Sequence, residues 1–189
     1  MSDLLLSSLN KFYSKNENFE DLHNIIHGKN DISLRLIDWF VTNYSKKTNI
    51  IFLLNKKERK IIHEKTDGCD ENIFQINVFQ EYKSQLKAFS KKNFDPFCRR
   101  ERIEFKCNNE IINTTIGQLN FFRWAITIRI LDYIKLFKNQ IEDDMNISLK
   151  SFKETDNKKK NGRKSRQELS KSALRGLNKN KLSVCITFN

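Results

Sequence analysis

One capped apolar stripe constrains this chain more than any other feature. Thr115-Ile116-Gly117-Gln118 has the form of a capping box, with Thr closing a helix start and Gln three residues on. Behind it Leu119, Phe122, Ile126, Ile130, Tyr133 and Phe137 recur at steps of three and four. That spacing gathers large apolar side chains on one helix face. Trp124 and Ile134 widen the stripe, while Arg123, Thr127 and Lys135 fall away from it. The pattern predicts a single buried helix from Thr115 to near Gln140, which the rest of the chain must cover.

The residues just before it predict a hairpin. Phe94-Asp95-Pro96-Phe97 is a break, because the chain's one proline fixes its own backbone and turns Asp95 away from helical geometry. From Arg102 to Cys107 polar and apolar residues alternate, so Ile103, Phe105 and Cys107 share one strand face. Asn108-Asn109 suits a two-residue turn, since Asn tolerates positive φ, and Glu110–Asn113 returns.

Farther upstream, Ser33 caps a predicted helix to about Lys46, with Leu34, Ile37, Val41 and Tyr44 on one face. The apolar run from Asn49 to Leu54 predicts a buried strand. A basic turn, Lys56–Lys60, leads to a short strand at Ile61-Ile62-His63, closed by Thr66-Asp67-Gly68. Ile73–Ile76 reads as strand, then Val78, Tyr82, Leu86 and Phe89 mark a helix from Asn77 to Ser90, with Lys83, Lys87, Lys91 and Lys92 outside. Residues 1–32 hold one short helix through Leu5, Leu9, Phe12 and Tyr13. The fold expected is α+β, three or four helices packed on a small, mainly antiparallel sheet. Its body is 33–149, after an N-terminal extension (1–32) and before a basic arm (150–189). Glu142-Asp143-Asp144 reads as an acidic linker, and 150–166 as disordered. Beyond it, Glu168–Asn178 suits a short helix and Ser183–Phe188 a strand returning to the body's sheet.

Charge is placed unevenly. Of the formal net charge of +12, the ten lysines and arginines from Lys158 on, against Glu168 alone, supply +9. Residues 1–157 are left at +3, nearly balanced. A block of this kind binds polyanions or directs nuclear import, and its bland alternative is a solubility tail. Cys69, Cys98, Cys107 and Cys185 show no paired spacing, which suits reduced thiols. No apolar run reaches the length of a membrane span, and Leu4-Leu5-Leu6 is too short for a secretory signal.

Little catalytic patterning is present. The glycines at 28, 68, 117, 162 and 176 are isolated, so no phosphate-binding loop forms. His23 and His27 share a helix face but lack a third metal ligand. Asp95 followed by Glu104-Phe105-Lys106 resembles the metal-holding carboxylates and water-orienting lysine of restriction-type nucleases, although the usual Pro-Asp order is reversed. A plain cross-strand ion pair accounts for the same residues. Phosphate contacts are expected from Lys87, Lys91, Arg99, Arg100, Arg102 and Arg123 in the body, and from Lys158, Lys159, Lys160, Arg163, Lys164, Arg166, Lys171 and Arg175 in the arm. Thr114 or Gln118, exposed at the helix start, would reach base edges.

FDPFCRRERI, TTIGQLNFFRWAI and the tail RKSRQELSKSALRGLNKNKLSVCITFN resemble segments of small basic proteins of nucleocytoplasmic large DNA viruses. LRLIDWFVTNYSKK and YKSQLKAFSKK extend the likeness upstream, over roughly Ser33 to the C-terminus. The resemblance implies a viral origin and carries no catalytic residue. The expected function is a non-enzymatic nucleic-acid-binding viral protein, engaged in DNA packaging or transcription, with DNA bound non-specifically and no cofactor. The alternatives are a structural virion protein, partnered by its own copies or other virion proteins, and a Mg²⁺-dependent nuclease. The expected location is the host cytoplasm or nucleus, or the virion.

Overall fold

The computed structural model describes residues 2–29, 31–62, 72–108 and 110–158. His63, Thr66-Asp67-Gly68, Cys69 and everything from Lys159 on, including the expected helix, strand and Cys185 of the arm, lie outside the described residues. The chain divides into two compact units, residues 1–151 and 152–189. The described elements are α1 (Ser2–Tyr13), α2 (Asn16–Ile26), α3 (Leu34–Trp39), a π turn (Phe40–Tyr44), α4 (Ser45–Thr48), β1 (Ile51–Asn55), β2 (Lys60–Ile62), β3 (Ile73–Asn77), α5 (Val78–Phe89), β4 (Ile103–Cys107), β5 (Glu110–Thr114), α6 (Ile116–Thr127), α7 (Ile130–Leu136) and α8 (Lys138–Lys158). The fold is α+β, with both sheets antiparallel. One sheet has the order β2-β1-β3 and the other is the β4–β5 hairpin.

Local chemistry places these elements where the residue pattern put them. Ser33 accepts the amide of Leu36 at 3.1 Å and starts α3. Asn77 accepts that of Gln80 and starts α5, and Thr115 accepts that of Gln118 and starts α6. The hairpin register runs from Ile103↔Thr114 to Cys107↔Glu110, with Asn108 at φ 50° in the turn. The wide π turn interrupts the helix that begins at Ser33. The Ser45 amide reaches back to the Phe40 carbonyl, while the Ser45 hydroxyl takes the Val41 carbonyl at 3.0 Å.

Five expectations are corrected. The 115–140 stripe is not one helix but α6, α7 and the start of α8. The first break falls at Arg129, which stands at φ 61° and binds Asp132 at 2.5 Å. A residue other than Gly in that region is strained, so packing has to hold it there. The turn brings Tyr133 within 5.4 Å of both the Phe40 and Phe52 rings. Residues 1–32 are built into the body rather than appended to it. Leu9, Tyr13, Phe19, Leu22 and Ile25 are buried, and the Tyr13 hydroxyl donates to the Leu119 carbonyl at 2.7 Å. Glu142-Asp143-Asp144 is helical, and Asp144 accepts from Trp39 Nε1 at 3.1 Å and pairs with Lys47. Residues 150–158 continue α8 and are not disordered. Among the described residues the helical segments number seven, counting α3 through α4 as one, against the three or four expected.

At the centre lies α6, where every residue from Gly117 to Phe122 is buried and not merely one face. Phe121 and Phe122 are fully enclosed. No helix of the described residues is long and apolar enough to cross a membrane.

Candidate nucleic-acid interface

The arginine-bearing loop is pinned to the start of α6. A Cβ on Gly117 would stand 3.1 Å from the Lys92 carbonyl oxygen and 3.4 Å from the Phe94 nitrogen, so a larger residue would push the loop back by a few tenths of an ångström. The Asp95 amide then donates to the Gly117 carbonyl at 3.2 Å, and Asn120 Nδ2 donates to the Asn93 carbonyl at 3.0 Å. Gln118 departs from the capping box: its side chain does not reach back to Thr115. Its Nε2 donates to the Pro96 carbonyl at 2.9 Å, and its Oε1 accepts from Thr114 Oγ1 at 2.8 Å. Thr114 and Gln118 are buried at 0% and 2% exposure, so neither faces a base edge as expected. The loop covers them. Phe94 clamps it, its ring 5.2 Å from Phe121, 5.5 Å from Trp124 and 6.0 Å from Tyr82 and Phe89.

Within this loop Asp95 claims Arg99. Asp95 is 7% exposed, and its carboxylate accepts Arg99 Nε at 2.9 Å, Arg99 Nη2 at 2.8 Å and the Phe97 amide at 3.2 Å. The two-point contact raises the Arg99 pKa above its usual value. Its guanidinium also lies 4.7 Å from the Phe97 ring. Asp38 and Tyr82 complete the surroundings. Burial pushes the Asp38 carboxyl up, against the pull of Arg99, and lifts the Tyr82 hydroxyl to about 12. Arg99 is therefore an internal counter-ion.

Arg123 is engaged as well. Its Nη1 donates to Ser8 Oγ at 2.8 Å, and its guanidinium lies 5.6 Å from the Phe12 ring. Lys87, Lys91, Arg100 and Arg102 are exposed. Lys87, Arg100 and Arg102 form no ion pair among the described residues. Lys158 ends α8, whereas Lys159, Lys160, Arg163, Lys164, Arg166, Lys171 and Arg175 lie outside the described residues.

Glu104 and Lys106 are exposed on one face of β4, opposite Asn113 and Ile111. Asp95 serves Arg99 and the Phe97 amide. Among the described residues no three His, Cys, Asp or Glu side chains are grouped to hold a metal ion. His23 lies 3.5 Å from Glu110, and its ring is 4.1 Å from that of His27. Cys98 and Cys107 are free thiols. The Cys107 Sγ donates to the Tyr13 carbonyl at 3.1 Å, and burial raises its pKa.

A second basic surface lies where α4 meets α5; the residue pattern placed Lys83 and Lys87 on the outer side of α5 but did not bring Lys46 or Phe79 to it. Lys46 Nζ is 5.9 Å and Lys83 Nζ 5.5 Å from the centroid of the half-buried Phe79 ring. Phe79 falls off the Val78-Tyr82-Leu86-Phe89 stripe, which was the signal that it faces outward. Nothing local announces Lys46 as its neighbour.

The model of a family of unknown function (DUF7197) matches residues 1–188 of the chain. A protein of Acanthamoeba polyphaga mimivirus described as "Uncharacterized protein L507" is 38% identical over 175 residues, or 89% of this chain and 61% of that protein. The chain thus spans less than two thirds of that relative's length. No solved structure matches.

Proposed function

The chain belongs to the DUF7197 family of unknown function, and from that footing we propose a viral protein that binds nucleic acid without catalysing a reaction. The carrying observation is the charge distribution: +9 from Lys158 onward against +3 in the rest. Such a block neutralises phosphates and releases counterions, so it binds DNA non-specifically and with steep salt dependence. Exposed Lys87, Arg100 and Arg102, without ion pairs among the described residues, support a contribution from the body. DNA packaging or transcription in the host cytoplasm or nucleus, or within the virion, is the process this serves.

The test is a fluorescence-anisotropy titration of labelled duplex DNA and RNA at several salt concentrations. Full-length protein is compared with a full-length variant carrying Gln at Lys158, Lys159, Lys160, Arg163, Lys164, Arg166, Lys171 and Arg175. The logarithmic salt slope should fall by roughly 0.9 for each phosphate contact removed. An unmodified chain that binds neither polymer defeats the proposal.

A self-associating structural protein is the second reading, and one observation favours it. On the outer face of the β2-β1-β3 sheet Ile51 is exposed, and Leu53, Ile62 and Ile73 are only half-buried. Light scattering on the purified protein would reveal a stable oligomer. The nuclease reading has less behind it, because the Asp95 carboxylate is occupied by Arg99. It would require Mg²⁺-dependent cleavage that Glu104→Ala abolishes.

A further inference from the structure

We propose that the surface shared by α4 and α5 binds single-stranded nucleic acid, with Phe79 as a platform for one base and Lys46, Lys83 and Lys87 as its phosphate contacts. The proposal rests on the nucleic-acid reading above and gives it a place on the body. Val78 is fully buried, so α5 is anchored immediately before Phe79, whose own ring is left half-exposed. Lys83 follows Phe79 by four residues and Lys87 by eight, so all three lie along one side of α5. Glu81, two residues from both Phe79 and Lys83, points to another side. Lys46 arrives from a different helix, carried there by α4.

Both ammonium groups lie near the same ring centroid, at 5.9 and 5.5 Å, so they stand no farther apart than the sum of those distances. Neither has an ion-pair partner among the described residues. Two like charges held around one ring repel each other, and cation–π attraction offsets only part of that. An anion lodged between them relieves the repulsion. Phosphate does so, and the base attached to it has the half-exposed Phe79 ring within reach.

The ring selects the form of nucleic acid. In a duplex the base faces are covered by their neighbours, so a lone surface ring can stack only on a base free of them. Charge alone cannot make that distinction. The α5 surface thus supplies a preference for single strands, which a block of lysines and arginines does not.

The experiment uses full-length protein with labelled oligo-dT and, separately, a labelled duplex. Phe79→Leu should weaken oligo-dT binding about tenfold, the scale of losing one base–aromatic stack, and leave duplex binding nearly unchanged. Phe79→Tyr should restore it. Lys46→Gln with Lys83→Gln should reduce the oligo-dT salt slope by about 1.4, or 0.7 per contact. Photo-crosslinking of 5-iododeoxyuridine oligomers to the unmodified chain should map to Phe79. Unchanged oligo-dT affinity in Phe79→Leu, or crosslinks only elsewhere, overturns the site and leaves the broader reading standing. An unmodified chain that binds anionic vesicles but no nucleic acid overturns both.

Discussion

Two cationic regions of this protein carry the same sign of charge and treat it in opposite ways. In the 94–99 loop Arg99 is held at two points by a buried carboxylate and laid against Phe97. Along α5, Lys83 stands near an aromatic ring with no ion-pair partner among the described residues. The first arrangement stores its charge inside the architecture, where it fixes the loop to α6. The second leaves its charge without an ion-pair partner among the described residues. Density of arginine in a sequence therefore says little about where a polyanion will sit; the presence or absence of a compensating acid decides it.

The comparison is broken most severely by removing the clamp on which the first region depends. Phe94→Ala empties a site 3% exposed, packed by four aromatic rings, and should cost about 3–5 kcal/mol in denaturant titration. Loss under about 1 kcal/mol would mean the loop is not built on that ring. Next in size is the ion pair, whose two halves are unequally exposed: 59% for the Arg99 side chain and 10% for that of Asp95. Arg99→Gln leaves a buried carboxylate with one amide donor, for roughly 2–3 kcal/mol, while Asp95→Asn leaves a solvated guanidinium and costs about half as much. The same Gln change at Lys83 should stay within about 0.5 kcal/mol, the range of ordinary surface substitutions. Equal costs at Arg99 and Lys83 would erase the distinction.

The smallest effect is a pH dependence. Burial raises the Asp38 carboxyl, only partly countered by Arg99, so the folded state holds that proton more tightly than the unfolded chain does. Ionised Asp38 therefore costs stability at neutral pH, and the cost fades as pH falls through its raised pKa. Asp38→Asn should raise the melting temperature at pH 7, with the gain gone below the ordinary Asp range. A variant no more stable than the parent at pH 7 would show that Arg99 serves both carboxylates in full.

What was legible in the chain was local. Alternation and an Asn turn located the hairpin to within a residue, and Ser33 and Thr115 marked two helix starts through their own side chains. What escaped was set by partners distant in sequence. The 119–137 stripe keeps its phase across the break, and Arg129 carries none of the usual glycine or proline punctuation. Gln118 has the composition of a cap, yet a loop about twenty residues upstream recruits its amide. Lys46 and Phe79 meet only because two helices do. The body's candidate contacts were chosen by charge, which does not show that Arg99 is bound by Asp95, or that Arg123 donates to Ser8.

The π turn at Phe40–Tyr44 sets the angular phase of α4 behind it. It holds one residue more than an α-helical turn needs, and the Ser45 hydroxyl caps the carbonyl this leaves over. A chain shortened by one residue here could close into regular helix with no loss of backbone hydrogen bonds. The wide turn takes up its extra residue with little change of phase, so that deletion would keep Lys46 beside Phe79 and Lys47 beside Asp144, whereas a residue lost from the regular helix before it would swing both about 100° around the axis. One residue more or less, invisible to composition and charge, is thus absorbed at the π turn and exchanges one surface for another when it falls in the regular helix before it.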